Sequence, residues 1–412
     1  MDLFEKLTSG PRGPLAALSH AIHGKASFPR LRGPIGSRME WNGREMLVWS
    51  VNNYLGLANL PEVREADAEF ANRYGLAAPM GSRMMTGETD ELEALETELA
   101  DYARKPAALF LNYGYQGMLS LIDSLVTRHD WIVYDAECHA CIIDGVRLHA
   151  GKAKSFPHND IARLEAVLQQ VDSLRKPGDS VLVISEGVFG MSGVQGRLAD
   201  IVALKQKHEF RLLVDDAHGF GVMGPDGGGT GEEQGVQDGI DLYFGTFAKA
   251  GASIGAFVAG PAEIIWQLRY TMRSQIFAKG LPWPIVAGNR VRLRLMRTRP
   301  DLRKQCLAVS NALQSGLREA GFDVGATAAP VTPVMFNLRD LDVAVGLEFM
   351  DRLRTKYDIF CSGVIYPVVP QGVGQLRLIP TADHTMADVD QTITAMEHAA
   401  HEVLGWSAAV PA

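Results

Sequence analysis

From residue 90 to residue 260, short apolar runs alternate regularly with segments of helical periodicity. The apolar runs, each long enough for one strand, are residues 107–112, 131–136, 180–188, 210–217, 241–249 and 255–260. The helical segment before the first run, residues 90–105, carries an apolar stripe formed by Leu92, Leu95, Leu99 and Tyr102. Nearly continuous apolar strands between helices are typical of a mostly parallel central sheet with helices on both faces. This alternation predicts an α/β fold.

The two ends of the chain do not share this alternation. The first residues are rich in Gly, Pro and Arg, and a WNGRE turn between two alternating segments predicts an N-terminal arm with a hairpin. Towards the other end, a long basic helix and the strand candidates VTPVMFNLRD and QLRLIPTA indicate a smaller α+β domain. We therefore predict an arm at 1–60, a large domain at 61–290 and a small C-terminal domain at 291–412. Thr385 and Asp388 are expected to cap the last helix.

Composition limits the function classes. Of the 412 residues, 47% are hydrophobic and 21% are charged, which is ordinary for a globular protein. The net charge of -8 argues against nucleic-acid binding, which usually needs a basic face. No apolar run reaches the roughly 18 residues of a membrane span, and the charged start of the chain does not resemble a secretory signal. We therefore expect a cytoplasmic protein without a transmembrane segment.

Two of the four cysteines, Cys138 and Cys141, have the CxxC spacing of redox pairs and of half a zinc site. The other two, Cys306 and Cys361, are isolated, so the second half of a zinc site is missing. We expect these cysteines to be small core residues, and we expect no metal.

Polar residues or glycines follow the predicted strands at the points where the strands end. In a parallel sheet these carboxyl ends share one edge, where ligands bind. The residues concerned are Gly114, Tyr115, His139, Glu186, Asp215, His218, Thr246 and Lys249. Each alone has an ordinary structural explanation, since aspartates cap turns and lysines usually lie at the surface. Five such strand ends at one edge predict a common binding site.

This set of side chains suits pyridoxal 5'-phosphate (PLP). Lys249, on a fixed strand end, can form a Schiff base with an aldehyde. Asp215 can keep the pyridine nitrogen protonated, which the cofactor needs to act as an electron sink. Gly114 and Tyr115 open a helix whose N-terminal amides can bind a phosphate. His139 can stack on the ring.

The order of short motifs along the chain carries a more specific resemblance. The runs are VNNYLGLA (51–58), GSRMMTG (81–87), NYGYQGM (112–118), HACIIDG (139–145), SEGVFGMSG (185–193), VDDAHGFGVMG (214–224), TFAKAGASIGAFVAG (246–260) and QLRLIPTADHT (375–385). Together they resemble the α-oxoamine synthase family of fold-type I PLP enzymes over nearly the whole chain. Within that family, GATAAPVTPVMF and FCSGVIYPVVPQG are most similar to the serine palmitoyltransferase branch.

The resemblance implies a role for each matching residue. Lys249 would carry the cofactor and also serve as the proton-transfer base. Asp215 would bind the ring nitrogen, His218 would lie near the ring hydroxyl, and His139 would stack on the ring.

The resemblance also implies the contacts of the phosphate and of the substrate. Gly114, Tyr115 and Thr246 would contact the phosphate. Arg377 would pair with the carboxylate of the amino-acid substrate, for which a guanidinium fork is well shaped. Asn53 would make a second substrate contact.

The family reaction is a decarboxylative Claisen condensation of a small amino acid (serine, alanine or glycine) with an acyl-CoA thioester. The resemblance implies an α-aminoketone product, of the 3-ketosphinganine type in the serine palmitoyltransferase branch, and a homodimer whose active site lies at the interface. Two other functions stay open: a different fold-type I reaction, either an aminotransferase or a β-hydroxy amino acid aldolase, and a binding protein that has lost catalysis. Release of free thiol from acyl-CoA separates the synthase from the aminotransferase, which needs a keto-acid acceptor.

Three departures from the family pattern concern the phosphate and the ring hydroxyl. Gly190 and Ala248 stand where the family usually has serine, and Lys279 with Gly280 replaces a serine-containing run that reaches the neighbouring subunit's phosphate. We expect Lys279 or a main-chain amide to compensate across a dimer interface. The glycine-rich stretch 224–231 is expected to be a surface loop.

Overall fold

The computed structural model describes residues 1–10, 16, 19–20, 22–149, 151–337, 343–365, 369 and 372–405. These residues form two compact units. The larger unit spans residues 52–305, and the smaller one joins residues 1–51 to residues 306–412. The three-part division with boundaries at 60 and 290 stays a prediction.

The strands are β1 (Leu31–Arg32), β2 (Arg38–Trp41), β3 (Arg44–Val48), β4 (Ala107–Leu111), β5 (Trp131–Asp135), β6 (Lys152–Phe156), β7 (Val181–Glu186), β8 (Arg211–Asp215), β9 (Leu242–Thr246), β10 (Ala256–Gly260), β11 (Thr332–Asn337), β12 (Ile359–Phe360), β13 (Ser362–Val364) and β14 (Val373–Leu378). The helices are α1 (Leu3–Thr8), α2 (Pro61–Tyr74), α3 (Asp90–Tyr102), α4 (Gly114–Leu125), α5 (Ala140–Leu148), α6 (Ile161–Leu174), α7 (Leu198–Ala203), α8 (Thr230–Glu233), α9 (Ala262–Thr271), α10 (Arg273–Ile276), α11 (Trp283–Thr298), α12 (Pro300–Glu319), α13 (Val343–Lys356) and α14 (Met386–Leu404).

The larger unit is built on a seven-stranded sheet with the order β4-β10-β9-β8-β7-β5-β6. Neighbouring strands from β9 to β6 are parallel. Strand β10 runs antiparallel to both of its neighbours, β4 and β9. The sheet is therefore mostly parallel, and the predicted α/β class is confirmed.

The sequence analysis found six of the seven strands and missed β6. This strand lies at the edge of the sheet, and its exposure alternates along Lys152–Phe156. Its two lysines interrupt the continuous apolar run that marks the buried strands, since an edge strand does not need both faces to be apolar. The pattern that identifies central strands was therefore absent here.

Helices pack closely on the sheet through apolar side chains. The predicted stripe of helix α3 is buried as expected, at Leu92, Leu95, Leu99 and Tyr102. Helices α4 and α5 approach each other at Gly145, where an added Cβ would lie 2.8 Å from the Ile122 Cδ1 atom. Close packing of this kind fixes where each helix begins, and so where its N-terminal amides point.

The smaller unit contains two small sheets, ordered β1-β2-β3-β12 and β11-β14-β13. The predicted hairpin is present: Asn42 and Gly43, both at positive φ, connect β2 to β3, as a two-residue hairpin turn requires. Both C-terminal strand candidates form strands, β11 and β14, and the part of VTPVMFNLRD at 338–340 lies outside the described residues. The run FCSGVIYPVVPQG also falls partly outside them, at 366–368 and 370–371.

The last helix, α14, begins with the predicted cap. The Thr385 hydroxyl accepts from the Asp388 amide at 3.2 Å, and the Asp388 carboxylate accepts from the Thr385 amide at 2.8 Å. Among the described residues, no helix has the length and apolarity needed to cross a membrane.

A buried histidine joins the end of strand β3 to the turn that contains residues 381–384 in the smaller unit. The His384 ring stacks on Trp49 with 3.8 Å between ring centroids. Its Nδ1 accepts from the Thr381 amide at 3.1 Å, and its Nε2 lies 3.1 Å from the Val48 carbonyl. One nitrogen must accept and the other must donate, so this arrangement requires the neutral ring.

We predict that this histidine makes the fold sensitive to acid. Burial lowers the pKa of His384 from 6.5 to about 4. Between these values the unfolded chain binds a proton that the folded chain does not bind. The stability contributed by the neutral ring is therefore complete above pH 6.5, and it is lost as the pH falls towards 4.

Denaturant unfolding at a series of pH values measures this effect. The His384→Phe variant keeps a ring on Trp49 but cannot titrate. Between pH 7 and pH 4 the wild type should lose about 3 kcal/mol more unfolding free energy than the variant. Equal losses in the two proteins would contradict the prediction.

Candidate active site

A cavity of about 170 Å³ lies at the carboxyl edge of the large sheet. Its lining residues are Gly114, Tyr115, His139, Cys141, Glu186, Asp215, Ala217, His218, Phe244, Thr246, Ala248 and Lys249. Every strand-end residue selected from the sequence is in this set. The structure therefore brings together the residues that the parallel-sheet argument placed at one edge.

Lys249 lies in the turn that follows β9. Its carbonyl accepts from the Ala252 amide at 2.9 Å, and the Phe247 amide donates to Gly255 at 2.9 Å, so the turn is tied to the start of β10. The residue is half-buried. A lysine on such a braced turn is held at a defined point of the cavity wall.

The two adjacent aspartates have different partners. Asp216 accepts from the Thr230 amide at 2.7 Å, from the Thr230 hydroxyl at 2.8 Å and from the Tyr243 hydroxyl at 3.0 Å. Burial raises the pKa of Asp216 to about 6. The Asp216 side chain therefore holds the loop that contains Thr230. Asp215 instead lines the cavity, and its Oδ1 atom accepts from the Ala217 amide at 3.1 Å.

The glycine-rich stretch 224–231 is held by these contacts. Its predicted surface location was wrong for most of its length, because Gly227, Gly228, Gly229 and Thr230 are buried. The Gly228 amide donates to Glu232 at 2.8 Å, and the Tyr102 hydroxyl donates to the Asp226 carbonyl at 3.2 Å. The glycines allow the backbone to pack close to Asp216, where a Cβ on Gly229 would lie 2.1 Å from the Oδ2 atom.

His139 is fixed at the N-terminus of helix α5. Its Nδ1 atom accepts from the Cys141 amide at 3.2 Å, and its own backbone amide donates to the Glu186 carboxylate. The imidazole is nevertheless exposed. An anchored and exposed ring is suited to stacking on a flat ligand.

Glu186 ends β7 directly beside the end of β8, since it is paired with Asp215 in the parallel register. Both carboxylates are buried. Burial raises the pKa of Glu186 well above its ordinary value, and the neighbouring Asp215 raises it further. Burial also raises the pKa of Asp215, while the charges of Lys249 and His139 oppose that rise. A cation placed against Asp215 would favour its ionised form.

The place of Cys141 in the site was not predicted from the sequence. Its Sγ atom lies 3.0 Å from His139 Nδ1 and 3.9 Å from Asp215 Oδ2. Burial raises the pKa of the Cys141 thiol, so it stays protonated and can donate weakly to Asp215. All four cysteines are free and buried, as expected for small core residues.

Helix α4 begins at the cavity with Gly114. Among the described residues, no side chain caps its first turn, so the N-terminal amides are available to a ligand. A Cβ on Gly114 would lie 3.7 Å from the Thr246 Oγ1 atom, which shows how closely this helix meets the end of β9. The Thr246 hydroxyl donates to Gly255 at 2.9 Å and accepts from the Ala248 amide at 3.1 Å. The Tyr115 hydroxyl donates to Asp144.

The imidazole of His218 lies between Tyr54 and Gly190. Its Nδ1 atom is 2.7 Å from the Tyr54 hydroxyl. A Cβ added to Gly190 would lie only 2.3 Å from its Nε2 atom. The histidine ring thus fills the space that a side chain at position 190 would occupy.

The two predicted substrate-binding residues are not among those that line the cavity. Asn53 belongs to the larger unit, where it is buried and its Oδ1 atom accepts from the Ala58 amide at 3.3 Å. Arg377 belongs to the smaller unit, on β14 between Pro333 and Ser362 of the adjacent strands.

The cavity residues fit PLP. Uncapped helix amides suit a phosphate dianion, and a buried carboxylate whose pKa is raised by burial suits a pyridinium cation. The exposed face of His139 suits an aromatic ring, and Lys249 supplies the amine. Sequence reasoning placed Glu186 at the strand edge but missed Cys141 and Tyr54 as members of the site, because helix capping and contacts between distant segments, which sequence spacing does not reveal, bring them there.

Comparison with known proteins agrees with this fit. The family model for aminotransferase class I and II matches residues 44–396. A protein of Capnocytophaga ochracea named cysteate-C-fatty acyltransferase is 52% identical over 395 residues, covering 96% of this chain and 93% of that protein. An 8-amino-7-oxononanoate synthase of Exiguobacterium sibiricum is 34% identical over 403 residues, covering 98% of this chain and 97% of that one.

The fold also matches solved structures. A serine palmitoyltransferase of Sphingomonas wittichii superposes with a TM-score of 0.91 at 27% identity, covering 99% of this chain and 100% of that one. Another solved serine palmitoyltransferase, at 26% identity, contains PLP as the internal aldimine. The chain belongs to the aminotransferase class I and II family, in its α-oxoamine synthase group of PLP-dependent acyltransferases.

Proposed function

We propose that this PLP-dependent acyltransferase condenses cysteate with a fatty acyl thioester. The general reaction, a decarboxylative condensation of an amino acid with an acyl thioester, is that of its family. The observation that carries the choice of substrate is the 52% identity to the cysteate-C-fatty acyltransferase across almost the whole chain. By comparison, the sequence identity is 35% to an 8-amino-7-oxononanoate synthase of Citrifermentans bemidjiense and 27% to the serine palmitoyltransferase of Sphingomonas wittichii.

Cysteate and serine share a carbon skeleton, and a sulfonate in cysteate replaces the hydroxyl of serine. Cysteate therefore carries one more negative charge at neutral pH and needs a more cationic binding site. The sequence resemblance to serine palmitoyltransferases fits an enzyme for this skeleton. Serine, alanine and glycine are the competing substrates in the test below.

PLP supplies an electron sink for the charge that develops at the amino-acid Cα atom. Asp215 would keep the ring nitrogen protonated, and the Cys141 thiol and the Ala217 amide hold the Asp215 carboxylate in place. His139 would stack on the ring, and the amides of Gly114 and Tyr115 would bind the phosphate. Thr246 would add a phosphate contact from its hydroxyl, which donates to the Gly255 carbonyl and accepts from the Ala248 amide.

Lys249 would hold PLP through its amine, and the same amine would take up the Cα proton of the substrate. The Cα atom then bonds to the acyl carbonyl carbon, and the C–S bond of the thioester breaks to release the thiol. Loss of the α-carboxylate as carbon dioxide leaves an electron pair at Cα, which takes up a proton. With cysteate the product is a 2-amino-3-oxoalkane-1-sulfonate, and the reaction needs no oxidant or reductant.

Arg377 and Asn53 are the substrate-binding residues in this proposal. The guanidinium of Arg377 can pair with both oxygens of the amino-acid carboxylate. The proposal is supported by the position of Arg377 within the QLRLIPTADHT motif and by its place near the end of strand β14, where it is paired with both neighbouring strands.

We further propose that the enzyme is a homodimer and that Lys279 serves the partner's active site. Exposed apolar side chains lie on the segment of Lys279 and on the segment beside it: Met80, Met85 and Phe277 are 80%, 78% and 73% exposed. The two segments that carry them are joined, since the Gly280 amide donates to Gly81 at 3.2 Å. A surface of this kind favours an interface. A cytoplasmic location is supported by the four free cysteines.

A panel of amino acids tests the substrate. The enzyme loaded with PLP is mixed with a long-chain acyl-CoA and with cysteate, serine, alanine or glycine, and free thiol is measured. We expect kcat/KM for cysteate to exceed the others by about tenfold or more, since one charge-assisted contact contributes roughly 1.5–3 kcal/mol. The Lys249→Ala variant should release no thiol with any of them.

Two results of this panel would contradict the proposal. A preference for serine would make the enzyme a serine palmitoyltransferase. Turnover that depends on a keto-acid acceptor and releases no thiol would make it an aminotransferase.

Sedimentation and cofactor titration test the dimer. We expect Met85→Glu to shift the protein from dimer to monomer, because it places a charge in the apolar surface. Met386→Glu, which changes another exposed methionine in the smaller unit, is the matched control and should stay dimeric. Lys279→Met should stay dimeric but bind PLP or cysteate several-fold more weakly. Unchanged affinity for both ligands in Lys279→Met would exclude a role for Lys279 in the site.

A further inference from the structure

We propose that Tyr54 and Gly190 are positioning residues that hold the His218 imidazole in one orientation and one tautomer beside the cofactor. The inference rests on the proposed place of His218 near the ring hydroxyl of PLP. It adds two residues that the motif resemblance did not assign to the site. It also explains why this chain has glycine at position 190.

Tyr54 fixes one edge of the imidazole. Its hydroxyl lies 2.7 Å from His218 Nδ1, and the two rings meet edge to face at 66° with 6.1 Å between centroids. Tyr54 is fully buried and His218 is 7% exposed. A hydrogen bond between two buried groups is costly to break, because neither partner can turn to water instead.

Gly190 leaves room for the opposite edge of the imidazole. A Cβ at this position would lie 2.3 Å from His218 Nε2, 2.8 Å from Cδ2 and 3.1 Å from Cε1. The φ angle of Gly190 is not in the left-handed region, so the backbone conformation does not itself require glycine. The requirement is for space.

The loop that carries Gly190 cannot easily move away. The Phe189 amide donates to Val194 at 2.9 Å, and the Gly193 amide donates to Phe189 at 2.8 Å. Val188 and Gln195 are bridged at the base of the same loop. A side chain at position 190 would therefore displace the His218 ring from its place between Tyr54 and the cavity.

The tautomer follows from what each edge of the ring must do. The ring oxygen of PLP accepts hydrogen bonds, so the histidine edge that meets it must carry the proton. A neutral imidazole has a single N–H, and the other nitrogen must then accept. We assign the Tyr54 hydroxyl as the donor to Nδ1, which leaves the Nε2 proton directed at the cofactor.

The pH midpoint of the cofactor's visible absorption band reports this hydrogen bond without any substrate. The band follows a proton shared between the Lys249 nitrogen and the ring oxygen. Weaker donation from His218 leaves more negative charge on that oxygen, so the shared proton is held more tightly and the midpoint rises. The other titratable groups that line the cavity stay in place in the variants, and they are Tyr115, His139, Cys141, Glu186, Asp215 and Lys249.

Tyr54→Phe removes only the hydroxyl. We expect the midpoint of the PLP-loaded variant to rise by about 0.5–1 pH unit. Tyr243→Phe is the matched control, because Tyr243 is equally buried but donates to Asp216 and does not line the cavity. The control should keep the wild-type midpoint. An unshifted Tyr54→Phe, or an equal shift in Tyr243→Phe, would overturn the inference.

The Gly190→Ala variant tests whether position 190 must leave space for the His218 ring. In the wild-type background we expect the pH midpoint to rise about as much as in Tyr54→Phe. When His218→Ala is already present, Gly190→Ala should not change the midpoint further. An additive effect in the double variant would show that position 190 acts independently of His218 and would overturn its assigned role.

The same data separate this inference from the proposed function. If His218→Ala leaves the midpoint unchanged, the placement of His218 at the ring fails, and this inference fails with it. If His218→Ala shifts the midpoint but Tyr54→Phe does not, only the inference fails. If the enzyme does not accept cysteate as a substrate, neither of these two results changes.

Discussion

Two buried carboxylates, Glu186 and Asp215, end adjacent parallel strands and face the same cavity. Burial of such a pair is unfavourable, and the pKa of each group is raised accordingly. The site is therefore suited to positive charge, which a pyridinium cation beside Asp215 would supply in the proposed function. The same register brings the Glu186 carboxylate to the His139 amide, so one strand pairing positions both Asp215 and the His139 imidazole.

The parts of this arrangement that follow from local pattern could be predicted from the sequence. Apolar runs identified six of seven strands, and the rule that parallel strands end at one edge selected residues that all line the cavity. The rest depends on three-dimensional neighbours. Which of Asp215 and Asp216 faces the cavity is decided by Thr230, whose amide and hydroxyl hold both oxygens of Asp216 on the other side.

The departures from the family motifs also become clear only in the folded chain. Spacing alone suggests that Gly190 deletes a useful hydroxyl. In the structure its missing side chain makes room for His218. The Ala248 amide is already engaged, since it donates to the Thr246 hydroxyl at 3.1 Å. The space of a lost side chain can thus be filled by a neighbouring ring.

The central claim is that Lys249 carries the cofactor. Borohydride reduction of the PLP-loaded protein, followed by peptide mass analysis, tests it most directly, because reduction fixes the cofactor to its lysine. The mass of a reduced pyridoxyl phosphate group should appear on Lys249 alone. The same group on Lys279 or on any other lysine, with Lys249 unmodified, would contradict the claim.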